Sequence, residues 1–158
     1  MTRGAADSVH VSVHETSPRP FIALGIPSFG MVHLLFVARL HNLRMPINTI
    51  VRHFYVVGKE VGDARNEIVA RALAVEDETP SLRCSHVFFL DDDVLCHPDA
   101  LLQLLTRRRP IMSGLYYLKS SVPTPLVLHE EYEGTAYSWT PGEVVECAGH
   151  GMGLTLIE

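Results

Sequence analysis

The chain has 158 residues, 47% hydrophobic and 20% charged, which is enough for one globular domain with a buried core. Its net charge of -5 argues against a nucleic-acid-binding surface and against binding to an anionic membrane, since both favour a basic face. Three widely spaced cysteines, Cys84, Cys96 and Cys147, form neither a disulfide framework nor a zinc ribbon, so a reducing, cytoplasmic compartment is expected.

Residues 1–20 are polar and lack the apolar run of a signal peptide, so they read as a flexible leader. Phe21–Leu40 is more apolar, but Pro27, Ser28, Gly30, His33 and Arg39 interrupt it, so no membrane span is expected. Phe21–Ile26 reads as a buried strand, Pro27–Gly30 as a turn and Met31–Leu43 as a helix. Asn48–Val57 is rich in β-branched and aromatic residues and predicts a second strand, followed by a loop over Gly58–Gly62. Asp63 reads as an N-cap, because Ala64, Ile68, Val69, Ala72 and Leu73 then fall on one helical face.

His86–Leu90 is a third strand running straight into Asp91-Asp92-Asp93. Pro98 and Asp99 suit the first turn of a helix that continues through Leu105, and Pro110–Leu115 predicts a fourth strand. This alternation implies an α/β fold with a mostly parallel sheet flanked by helices. After Tyr116 the pattern becomes mixed, with short strands expected at Leu126–His129 and Val144–Ala148 and a glycine-rich loop at Gly149–Gly153. The apolar run Leu154–Ile157 reads as an element that needs neighbours.

Parallel sheets bind ligands beyond the carboxyl ends of their strands. Pro27–Gly30, Gly58–Asn66, Asp91–Asp93 and Tyr116–Lys119 are predicted to share that edge. Three adjacent carboxylates repel unless a cation sits among them, and a hard divalent ion that shares its shell with phosphates and water is the natural partner. In extended backbone Asp91 and Asp93 would point the same way and Asp92 elsewhere.

At these residues the sequence resembles a known family. HVFFLDDDVLCHPDALLQLL, residues 86–105, looks like the segment around the DxD motif of family 2-like glycosyltransferases of the GT-A fold. The resemblance extends to IPSFG, GDARNEIVARAL, PIMSGLYY and ECAGHGMGLTLIE, and so covers roughly residues 21–158. It implies a GT-A-like nucleotide-sugar-binding domain that binds Mn²⁺ or Mg²⁺ and a nucleotide-diphospho-sugar donor, for transfer to an unknown sugar, lipid or protein acceptor. It also implies that Asp91 and Asp93 hold the metal and the donor diphosphate, with Asp93 the direct ligand, Asp91 serving mainly the nucleotide and Asp92 also in the nucleotide-sugar site. Pro27, Ser28, Arg65 and Asn66 match nucleotide-contacting positions, and Gly151 lies in the loop lining the sugar side.

Other readings stand beside these. Arg65 and Asn66 fit a ligand edge or an ordinary exposed helix face equally well. His150 has the chemistry for a metal or sugar contact, though a lone loop histidine more often makes neither. Tyr116 and Tyr117 stack on a ligand or pack, and packing is favoured for at least one of them. Arg107–Arg109 is assigned to the opposite sheet edge, and the cysteines to packing. The family's base motif matches none of the later glutamates, so no catalytic base is named. An acceptor-side part lacking at the C-terminus, or a partner subunit, is expected to be needed for turnover. A nucleotidyltransferase on a related scaffold, or a degenerate nucleotide- and metal-binding module without turnover, is the alternative function.

Overall fold

The computed structural model describes residues 17–128 and 139–158. Its elements in chain order are β1 (Arg19–Ser28), α1 (Leu34–His41), β2 (Ile50–Val57), α2 (Val61–Glu78), β3 (Leu82–Leu90) and α3 (Ala100–Thr106), then β4 (Ile111–Ser113), β5 (Val127–Leu128), β6 (Gly149–His150) and β7 (Leu154–Ile157). The main sheet has the order β2-β1-β3-β7-β4, and β5 and β6 form a separate antiparallel pair. β1 pairs in parallel with β2 and β3, while β7 runs antiparallel to both β3 and β4. The α/β class with flanking helices holds, but the sheet is mixed rather than mostly parallel, since two of its four pairings are antiparallel through the insertion of β7.

Residues 21–27 of β1 are buried without alternation, as a central strand covered on both faces must be. On one face Ile22, Leu24, Ile26, Phe88, Leu90 and Leu156 pack against Phe36 of α1 and Leu101 and Leu104 of α3. On the other, Phe21, Ala23 and Phe89 meet Ala64, Ile68, Ala72 and Val75 of α2. Fully burying side chains of this size contributes about 1.5–3 kcal/mol each. Gly25 lets α2 come this close, because a Cβ there would lie 2.6 Å from Ile68 Cγ2.

Several expected boundaries move. β1 begins at Arg19, inside the expected leader, and carries Pro27 and Ser28 as strand rather than turn. Its N–H-free Pro27 is tolerated at the strand's end, where the ladder is finishing. Helix α1 starts at Leu34, where the His33 ring caps Leu35 N–H at 3.1 Å. Glu60, not Asp63, caps α2, and its carboxylate accepts the N–H groups of Gly62 (2.7 Å) and Asp63 (3.3 Å). Arg65 and Asn66 consequently fall in the second turn. β3 is longer than expected because a bulge at Ser85, whose hydroxyl donates to the Phe21 carbonyl at 3.0 Å, hides its polar first half. The expected strand at Val144–Ala148 is absent, and β6 takes up Gly149–His150 of the expected loop. Among the described residues no helix is long and apolar enough to cross a membrane.

Candidate functional site

The parallel strands end together. Ser28 pairs with Val57, Gly25 with Phe89, and Leu90 with Leu154 at the start of β7. Pro27–Gly30, Gly58, Asp91–Asp93, Gly114–Lys119 and Gly153 therefore gather on the carboxyl edge, the edge expected from the sequence. Arg107–Arg109 lie before the first residue of β4 and hence at the opposite edge, where Glu158 N–H donates to the Pro110 carbonyl.

Asp91 is the best-anchored residue of the triplet. Its backbone N–H donates to the Gly153 carbonyl at 2.9 Å, and its carbonyl accepts Val94 N–H at 3.1 Å, which turns the chain. One terminal nitrogen of Arg65 donates to both carboxylate oxygens, at 2.7 and 2.9 Å. The two side chains are 16% and 25% exposed, so the pair is substantially desolvated. Arg65 Nε is buried and finds no partner among the described residues, which leaves the guanidinium with donor capacity to spare.

Asp93 behaves differently. It is exposed, and Lys119 Nζ donates to it at 2.7 Å. The expectation that Asp91 and Asp93 share one direction by strand alternation fails, because the chain leaves the strand after Leu90 and turns. One carboxylate faces α2 and the other the segment after β4. The cations that adjacent carboxylates require are here supplied by the chain itself, through Arg65 and Lys119.

Asp91, Asp93, Tyr116 and Lys119 nevertheless line one cleft of about 850 Å³, walled on its apolar side by Leu104 and Leu126. Tyr116 closes the inner end. Its hydroxyl accepts Gly153 N–H at 2.8 Å, and a Cβ on Gly151 would lie 2.0 Å from that oxygen. The missing side chain of Gly151 makes room for Tyr116. Burial pushes the Tyr116 phenol's pKa up. The nearby Asp91 carboxylate adds to the rise, while the Gly153 hydrogen bond and Arg65 oppose it.

His150 lies in β6, and its Nδ1 donates to the neighbouring Gly151 carbonyl at 2.8 Å. Among the described residues no three His, Cys, Asp or Glu side chains gather closely enough to hold an ion alone, so His150 does not complete a set with Asp91 and Asp93. An ion that shares its shell with phosphates and water needs only one or two carboxylates, which Asp91 and Asp93 can provide. Ser28 spends its hydroxyl on Gly30 N–H at 3.0 Å, closing the turn after β1. Asn66 is exposed and Asp92 partly so. Burial raises the thiol pKa of Cys84 and Cys96, in keeping with packing roles. Glu130, Glu131 and Glu133 lie outside the described residues.

Two residues were not singled out from the sequence as site residues, Lys119 and Gly153. Lys119 is one of only two lysines, and the other, Lys59, pairs with Glu67. Its place after the fourth strand was the available signal. No family model and no curated protein matches the chain.

Proposed function

We propose that this chain binds a nucleotide-diphospho-sugar together with Mn²⁺ or Mg²⁺ at the carboxyl edge of its sheet, on a GT-A-like scaffold, for transfer of the sugar to an acceptor. The observation that carries this reading is the placement of Asp91 and Asp93 in one large cleft at the ends of parallel strands. Exposed Asp93 is the carboxylate that can turn to an ion, while Asp91, held by Arg65, faces the nucleotide. When bound, the ion would neutralise charge building on the departing diphosphate. Arg65 fixes the Asp91 carboxylate, Tyr116 lines the cleft's inner end, and Leu104 and Leu126 give it an apolar wall.

Binding of UDP, GDP, ADP, CDP and TDP, measured by calorimetry with Mn²⁺, with Mg²⁺ and with chelator, tests the reading. One of them should bind in a metal-dependent way. Asp93→Ala should remove the metal-dependent part while changing stability by no more than about 0.5 kcal/mol, since Asp93 is exposed. If no nucleoside diphosphate binds, or if the variant binds as tightly as the parent at saturating Mn²⁺, the reading fails. One observation favours a second reading, a binding module without turnover, because both carboxylates already have internal counter-ions. Metal-dependent binding without hydrolysis or transfer from any sugar nucleotide would select it.

A further inference from the structure

Two cavities, of about 850 and 280 Å³, open beside the Asp91–Asp93 turn, and Asp93, Leu95 and Lys119 are walls of both. The larger extends along α3 and under Tyr116, and the smaller lies against His33, Leu35 and Phe36 at the start of α1. The 2.7 Å contact between Lys119 and Asp93 thus stands where the two meet. It joins two connections, the turn after β3 and the segment after β4, where Leu118 N–H donates to the Thr124 carbonyl at 2.8 Å.

This ion pair differs from the one beside it. Lys119 and Asp93 are 74% and 56% exposed, so water solvates either charge well once the pair opens, and the pair holds weakly. Among the described residues Lys119 is also the only lysine or arginine lining either cavity. A cation bound to Asp93 would repel an ammonium at this distance and push it toward the nearest negative charge.

We propose that Lys119 is the counter-ion a divalent cation displaces from Asp93, and that its freed ammonium then pairs with the phosphates of the ligand in the same cleft. The inference rests on the nucleotide-sugar reading and adds to it a binding residue. Displacement also removes a contact whose two residues wall both cavities.

The test is Lys119→Gln, which keeps a polar side chain and removes the charge. Mn²⁺ alone should bind this variant about two- to fivefold more tightly than the parent, because its competitor has gone. With Mn²⁺ saturating, the tightest-binding of UDP, GDP, ADP, CDP and TDP should bind it about tenfold more weakly. Lys119→Arg should recover most of the second effect. Lys59→Gln removes the same charge from the same sheet edge and should change either affinity by less than about twofold, which separates contact from a general field effect. If the parent binds nucleotide with Mn²⁺ while Lys119→Gln lacks either effect, or matches Lys59→Gln, this inference is overturned and the functional reading stands. A parent chain that binds no nucleoside diphosphate overturns both.

Discussion

Tyr116 shows how much of the edge rests on one side chain. Its hydroxyl accepts the N–H of buried Gly153 and occupies the space left by two glycines, beside the Arg65–Asp91 pair. Tyr116→Phe would leave that N–H without its acceptor, which costs about 1–3 kcal/mol for a buried donor. The phenol's pKa is raised above its ordinary 10.0, first by burial and then by Asp91. A raised acid pKa means that the folded state binds the proton more tightly than the unfolded chain. Its stabilising effect is therefore complete below pH 10 and is lost as pH climbs through the folded-state value. Urea denaturation should show parent and Phe variant well separated at pH 7 and closer together above pH 10. A gap that stays constant with pH would show that the phenol does not titrate in this environment. The sequence placed Tyr116 on the ligand edge and left stacking or packing open. It could not show that Gly151 and Gly153 are matched to this tyrosine, because that match exists only once β7 has brought the glycine segment back beside β4.

At the scale of elements, strands with apolar or β-branched and aromatic runs were legible, Ile50–Val57 among them despite Arg52 and His53, while the polar start of β3 was not. Phe21–Ile26 and His86–Leu90 declare themselves through burial on both faces. Leu82–Ser85 does not, because its polar residues serve a bulge. The start of α2 was placed too late because a glutamate two residues before Gly62 has the reach to cap it, while Asp63 remains favourable in the first turn. The end of α3 carries a testable strain. Arg108 follows the C-cap Arg107 with φ 50, and its N–H donates to the Leu105 carbonyl at 3.3 Å. This is the left-handed position after a helix that glycine fills without cost. Arg108→Gly should stabilise the chain by about 0.5–1 kcal/mol, and, lying at the edge away from the cleft, it should leave nucleotide affinity unchanged. Thermal melting and calorimetry check the two halves. A destabilised variant would mean that the side chain contributes more than the backbone strain costs.

On the scale of the whole molecule, the decisive feature is where β7 goes. The apolar run Leu154–Ile157 reads in the sequence as an element that needs neighbours, but four residues buried almost throughout carry neither a partner nor a direction. It lies between β3 and β4 and antiparallel to both, so the sheet is continuous only through these four residues. The same insertion brings the Gly153 carbonyl to Asp91 N–H and the Gly153 N–H to Tyr116. Sheet continuity and the shape of the cleft therefore share one element, and a lesion in β7 should damage both. Leu156 is 2% exposed in the α1 and α3 face of the core, while Ile111 on the edge strand β4 is 58% exposed. Leu156→Ala should cost about 2–5 kcal/mol through the cavity it leaves, and Ile111→Ala less than about 1 kcal/mol. A loss of that size is a large fraction of the 5–15 kcal/mol that holds an ordinary domain folded. Denaturant titration of both variants, with the nucleotide affinity of the folded fraction measured alongside, distinguishes the cases. Equal costs would show that β7 is no more central than β4. A costly Leu156→Ala with unchanged affinity would separate the sheet from the site and remove the coupling argued here.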